Sequence, residues 1–218
     1  TFALSGGPSV TITVTGPGQF WFDSATRRLA AHNTTTATNI TVASSTGTID
    51  AFKLYTNDDA SLGNVSIQSA LTGDSNILVD GNVTTLSVGA FNGTGSIVIG
   101  GSVGTATYAS LNGGYFSAGT ATTIRVNGDF GNANANITGE ARIDVGSAQS
   151  IVITGAARAL VNVARDLDTL TVNGAAERAL FRVGNSLVGL SLGSMRQSIF
   201  SAGDRIGTVT IGGEMFDS

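Results

Sequence analysis

The stretches ALVNVARDLDTLTVNG (159–174) and SIFSAGDRIGTVTIGG (198–213) share few letters, yet their apolar residues, a small-residue break and a closing glycine follow nearly the same order. The same order recurs along the chain. The last apolar residues before each closing small residue are Val88, Tyr108, Val126, Ile153, Val172, Leu192 and Ile211. The intervals between them are 20, 18, 27, 19, 20 and 19 residues, which indicates one structural unit repeated along the chain.

Each unit contains a first alternating apolar pair, a single apolar residue and a second alternating pair, for example Val161/Val163, Leu167 and Leu170/Val172. Period-two alternation is typical of a strand with one buried face. Glycine often follows a pair, and we expect these glycines to form corners with positive φ. The sequence therefore predicts an all-β fold, a parallel β-helix (β-solenoid) with coils of about 19–20 residues. The general preference of parallel crossovers favours a right-handed solenoid.

The regularity divides the chain into two parts. Residues 76–218 are predicted to be regular repeats, with a loop insertion at 129–140 that explains the one long interval, and residues 1–75 to be irregular N-terminal coils or a cap. Residues 18–32, GQFWFDSATRRLAAH, hold the single tryptophan within three consecutive aromatic residues. We expect them to form a strand or short helix that plugs the open core, with a carbohydrate-stacking aromatic shelf as the alternative.

One coil of this size cannot bury enough apolar surface to offset its ordering entropy, so each coil requires neighbours above and below. The last residues, GGEMFDS (212–218), begin another coil and stop. Because an uncovered strand edge is a template for pairing, we expect the chain to continue or a neighbouring chain to cover this end.

The composition excludes several classes of function. Charged residues make up 12% of the 218 residues, the net charge is -4, and Lys53 is the single lysine, which gives no polybasic footprint for nucleic acid. The sequence contains no run of 18 apolar residues, so it predicts no membrane-spanning helix. The chain has no cysteine and one histidine, His32, so that Ser-His-Asp, Cys-His and multi-histidine metal sites cannot form within one copy. We expect no cofactor.

Pairs of carboxylates are the remaining candidates for catalysis, because glycoside hydrolysis uses two of them. Asp58 and Asp59 lie in the turn TNDDAS, whose oxygen ligands also suit a weak Ca²⁺ site. Asp166 and Asp168 flank Leu167, so both are predicted to face solvent on one side of a strand. Arg165 beside them favours surface charge pairing over catalysis.

Stacking also brings distant charged residues into columns at one predicted edge of the solenoid. The candidate residues are Glu140, Arg158, Glu177, Arg178 and Arg196. Counted back from the first apolar pair of each unit, Glu140, Arg158 and Arg178 fall in one column with Gln197, and Glu177 and Arg196 lie next to it. One interpretation is a recognition strip for an acidic glycan or a partner subunit. The other is a solvated edge of alternating charge, in which Glu177 offsets the arginines.

The repeats GNVTTLSVGA (81–90), GNSLVGLSLGS (184–194) and GDRIGTVTIGG (203–213) resemble the Gly/Val-rich repeats of large secreted bacterial parallel β-helix proteins of the surface, adhesin and scaffold type. The resemblance implies a non-enzymatic extracellular or cell-surface structural protein, a segment of a scaffold, filament, surface layer or adhesin, that assembles through its ends or flanks. The implied partners are other copies or continuing repeats, with a surface glycan as a further candidate. The alternative is a glycan-binding or glycan-cleaving β-helix similar to tailspikes and polysaccharide lyases.

Overall fold

The computed structural model describes the backbone of residues 2–3 and all atoms of residues 9–132 and 141–216. These residues form an all-β structure without helix, a β-solenoid of about 8 turns. This confirms the predicted fold class.

The described residues form twenty-one strands, and the longer ones run around a corner of the coil. The strands are β1 (Phe2–Ala3), β2 (Val10–Thr15), β3 (Gln19–Asp23), β4 (Arg28–His32), β5 (Asn39–Ser44), β6 (Thr48–Asp50), β7 (Lys53–Thr56), β8 (Leu62–Ile67), β9 (Ala70–Thr72), β10 (Asn76–Val79), β11 (Val83–Phe91), β12 (Ser96–Leu111), β13 (Gly114–Val126), β14 (Ala141–Ile153), β15 (Leu160–Val163), β16 (Leu167–Glu177), β17 (Leu180–Val183), β18 (Ser186–Arg196), β19 (Ile199–Ala202), β20 (Arg205–Ile211) and β21 (Met215–Phe216).

Each coil contributes to three faces, and corresponding segments of successive coils pair in parallel. The first face contains β4, β7, β10, the starts of β12 to β14, and then β15, β17 and β19. The second face contains β5, β8, β11, the middle of β12, the ends of β13 and β14, and then β16, β18 and β20. The third, shorter face contains β6, β9, the ends of β11, β12, β16 and β18, and β21.

The repeated apolar pairs and single residues lie in continuous columns inside the solenoid, as predicted. One first-face column is Leu54, Ile77, Ile97, Phe116, Ile143, Val161, Phe181 and Phe200. One second-face column is Leu62, Val83, Val103, Ala121, Ala148, Leu167, Leu187 and Ile206. Nearly all of these side chains are buried except in the last coil, so the columns form one core along the solenoid axis.

The third face adds an inward column that the repeat pattern does not predict. Its members are Ile49, Leu71, Phe91, Leu111, Phe130, Ala157, Ala176, Met195 and Met215. Phe130 belongs to the stretch predicted as a loop insertion, yet it is buried and bridges Leu111 and Ala157. Residues 133–140 of that stretch lie outside the described residues.

Antiparallel strands cover the N-terminal end of the stack. β2 pairs with β5, and β3 pairs with β4. Residues 18–32, which were predicted to plug the core, form the β3–β4 hairpin. Phe20 and Phe22 pack against the core, but Trp21 between them points outward and is 59% exposed. The tryptophan is therefore not part of a plug.

The expected conformation of the corner glycines is wrong. The described glycines with positive φ are Gly16, Gly18, Gly47, Gly73, Gly114 and Gly131, and none of them follows an apolar pair of the regular repeats in 76–218. At Gly184 and Gly203, which do, an added Cβ would overlap a backbone carbonyl oxygen of the preceding coil. Glycine is required there because neighbouring coils approach closely.

Candidate interaction surfaces

Three of the predicted charged residues lie on an outward column at the corner after the third face. Arg158, Glu177 and Arg196 occupy consecutive coils in register. Arg158 donates from Nε to a Glu177 carboxylate oxygen at 2.8 Å, and its Nη1 lies 3.8 Å from a carboxylate oxygen of Asp129. The Arg158 guanidinium is thus held between two carboxylates, which favours the interpretation as an edge of alternating charge.

The other two candidates differ in position. Arg178 is one residue beyond this column, at a corner where it and Gln197 adopt left-handed backbone conformations with φ of 52° and 49°. It makes its own contacts and is exposed. Glu140 lies outside the described residues. The structure therefore brings three of the five candidates into one column, places the fourth beside it and does not describe the fifth.

A shallow groove of about 370 Å³ crosses the outer surface of the second face. It lies where the inward residues are Ala121 and Ala148, the smallest of their column. The groove is lined by Ser102, Val103, Gly104, Thr120, Ala121, Thr122, Ser147, Ala148, Gln149, Asp166 and Asp168. Its wall is therefore rich in hydroxyl groups and ends in two carboxylates.

The two candidate carboxylate pairs differ in their position and backbone conformation. Asp166 and Asp168 are exposed on either side of buried Leu167, as predicted, and Asp166 accepts a hydrogen bond from the backbone N–H of Ser186 at 3.3 Å. Asp58 and Asp59 lie in a turn with φ of 60° and 56°, not in an extended strand. No group of three or more acidic, histidine or cysteine side chains suited to a metal ion occurs among the described residues.

An aromatic and apolar column runs along the outer surface of the first face. Trp21 pairs with Ala30, Ala30 with Tyr55, Tyr55 with Leu78, and Leu78 with Val98. All five side chains point away from the core and are exposed or half-buried. The repeat pattern puts Leu78 and Val98 between the inward residues of an apolar pair, but Trp21 was expected in a plug of the core. The column emerges only from the register, including that of the antiparallel β3–β4 hairpin.

The last coil has an open edge. β19 pairs only with β17, and β20 and β21 pair only with β18, within the part of the chain that the structure describes. Apolar side chains are exposed at this edge, including Ile206 at 38%, Val209 at 50% and Met215 at 55%. Met215 and Phe216 belong to the third face of this coil, beside Met195 and Arg196.

Two further results bear on function. None of the described residues forms a helix that would cross a membrane. Comparison of the chain with protein-family models, curated proteins and solved structures gives no significant match.

Proposed function

We propose that the chain is a non-enzymatic structural protein, a segment of an extracellular or cell-surface scaffold, filament, surface layer or adhesin that assembles through its ends or flanks. The edge of its last described coil packs against a further solenoid coil, which continuing repeats or another copy supply. The extracellular location comes from the resemblance of the repeats to secreted β-helix proteins. The pairing is supported by one observation, the exposure of apolar columns at β19, β20 and β21.

The exposed side chains continue columns that are buried in every earlier coil. Val209 follows Leu190, which is 4% exposed, and Ile206 follows Leu187, which is 1% exposed. A surface that has the cross-section of the solenoid fits another solenoid coil, which would supply both apolar contacts and partners for the free backbone groups of β20.

Where another copy supplies this coil, the two copies meet by the same edge. The opposite end is already covered, since Val10 and Ile12 of β2 are buried. Pairing of two last coils buries apolar surface on both sides and gives the closed two-fold symmetry that most homodimers have. Because a two-fold axis reverses strand direction, the strands at this interface are antiparallel.

The test compares two valines with the same exposure. Val209 and Val188 are each 50% exposed, but Val209 lies at the open edge and Val188 points outward from the preceding coil. Sedimentation velocity over a concentration series should show a dimer for the natural sequence and for Val188→Lys, and a monomer for Val209→Lys. Circular dichroism checks that both variants keep the β structure.

Two outcomes would contradict the proposal. If the protein with the natural sequence stays monomeric at all concentrations, no interface between copies forms at this edge. Equal dimerisation of Val209→Lys and Val188→Lys places any interface elsewhere.

Cleavage of a glycan is the alternative, and the groove that contains Asp166 and Asp168 is the observation in its favour. Release of reducing ends from a polysaccharide, abolished by Asp166→Asn with Asp168→Asn, would establish the alternative and refute a purely structural role. Asp58→Asn with Asp59→Asn is the matched control, because that pair lies in an exposed turn outside the groove.

A further inference from the structure

The outward column of Trp21, Ala30, Tyr55, Leu78 and Val98, here called the aromatic strip, crosses five neighbouring strands of the first face. Trp21 is 59% exposed, the largest exposure of any aromatic side chain in the described residues. An exposed tryptophan leaves a large apolar surface in contact with water, which is typical of a site that a binding partner covers.

The two aromatic residues of the strip are separated by one small residue. Neighbouring strands are about 4.8 Å apart, so Trp21 and Tyr55, with Ala30 between them, lie roughly 10 Å apart. The alanine methyl leaves a notch between the two rings. The Tyr55 ring is held in place by Arg28, whose guanidinium carbon lies 4.6 Å from the ring centroid.

Polar side chains flank the strip on both sides. On one side the neighbouring outward column contains Asp23, Arg28, Lys53, Asn76 and Ser96. On the other side Gln19 and His32 form an outward cross-strand pair. An apolar strip one side chain wide therefore lies between two rows of hydrogen-bonding groups.

This geometry fits a sugar chain better than it fits a protein or a membrane. A stable protein interface buries about 800 Å² on each partner, which requires a patch much wider than one column. Lys53 Nζ lies 3.6 Å from Asp74 and Arg27 Nη1 lies 3.5 Å from Asp50, and the Arg28 guanidinium lies over the Tyr55 ring. With two of these three cations paired to carboxylates, the surface has no basic patch for anionic lipid.

A pyranose ring has the complementary amphipathic shape, with apolar C–H groups on its faces and hydroxyl groups around its edge. In an extended β-1,4-linked glycan, the length of one sugar along the chain nearly equals the spacing between neighbouring strands of the solenoid. A glycan parallel to the solenoid axis therefore places alternate sugars over Trp21 and Tyr55, with the intervening sugar above Ala30.

We infer that the aromatic strip binds an extended, uncharged β-1,4-linked glycan. Trp21 and Tyr55 stack on the sugar faces, and Arg28, Gln19 and His32 lie beside the sugar edges where hydroxyl groups are. The inference does not depend on pairing through the last coil, which lies at the opposite end of the solenoid.

The experiment titrates the protein with cellohexaose, chitohexaose and xylohexaose, and with α-linked maltohexaose as the control ligand, by isothermal titration calorimetry. At least one β-1,4-linked hexasaccharide should bind saturably and maltohexaose should not. Trp21→Ala and Tyr55→Ala should each weaken binding by roughly tenfold or more, the loss of one stacking contact.

Tyr115→Ala is the matched control variant. Tyr115 is also half-buried, outward on the first face and covered by an arginine, with the Arg142 guanidinium carbon 5.7 Å from its ring centroid, but it lies outside the strip. It should keep the natural affinity. The inference is overturned if none of the β-1,4-linked glycans binds, if Trp21→Ala binds as well as the natural sequence, or if Tyr115→Ala loses as much affinity as Tyr55→Ala.

Discussion

The rings of Phe181 and Phe200 stack face to face across two successive coils, with their centroids 4.4 Å apart and their planes 5° from parallel. Phe181 is buried and Phe200, in the last coil, is half-buried. We expect Phe181→Ala to lower the free energy of unfolding by about 3–5 kcal/mol, because it leaves a cavity between two coils.

Phe200→Ala should cost clearly less, since its ring already contacts solvent on one side. Urea denaturation followed by far-UV circular dichroism measures both values. Equal costs would mean that the last coil is covered in solution as fully as the coil before it.

The distance between neighbouring coils predicts opposite effects on stability when two glycines, one in a strand and one immediately before a strand, are replaced by alanine. Gly95 is buried, and an added Cβ would overlap the carbonyl oxygen of Ser75 in the preceding coil. Gly95→Ala should therefore destabilise by about 1–3 kcal/mol, the cost of overpacking. The control is Gly189→Ala, where the nearest atoms are 3.7 Å away and a gain of about 0.4–1 kcal/mol is expected because the unfolded chain loses freedom. Thermal denaturation of both variants distinguishes close approach from a general intolerance of alanine.

The parallel stack was predictable because apolar side chains alternate with the same spacing in each coil. Val163, Val183 and Ala202, which are far apart in the sequence, lie in one column as that spacing requires. The third face could not be predicted in the same way. It contributes one inward residue per coil, such as Phe130 or Ala157, which stands apart from the alternating pairs that mark the other two faces.

Predicting the candidate interaction surfaces requires the strand register and the antiparallel pairings, and the repeat pattern contains neither. The coil spacing predicts one column of Arg158, Arg178 and Gln197, whereas in the structure Arg158 is in register with Glu177 and Arg196. The register differs because the corner after Ala157 is one residue shorter than the corner after Ala176. Trp21 joins Tyr55 on one column only because β3 folds back on β4, and the hairpin is not part of the repeat.

The turn of the β3–β4 hairpin predicts a local dependence on pH. Asp23 accepts hydrogen bonds from the Ala25 N–H at 2.9 Å and from the Thr26 hydroxyl at 2.6 Å. These bonds, that of Thr26 first, hold the pKa of the Asp23 carboxyl below its ordinary value. A lowered pKa in the folded state means that the carboxylate stabilises the turn above the unfolded pKa of about 3.9 and that this contribution is lost as pH falls through the folded value.

NMR titration of the carboxyl carbons measures this pKa directly, and the Ala25 amide shift should follow the same curve. Asp23→Asn should remove the pH dependence of that amide. A carboxyl that titrates at or above the ordinary aspartate value would show that the turn is not formed in solution.

The ion pair of Arg158 and Glu177 distinguishes the two interpretations of the charged column. Arg158 has a side chain 19% exposed and Glu177 one 35% exposed, so water screens the pair only partly. A double-mutant cycle of Arg158→Ala and Glu177→Ala should give a coupling energy between about 0.2 and 1 kcal/mol in urea denaturation. Raising the salt concentration to about 1 M shortens the screening length to roughly 3 Å and should reduce the coupling. A coupling of zero at low salt would mean that Arg158 does not hold Glu177 in solution, which would contradict the interpretation as an edge of alternating charge.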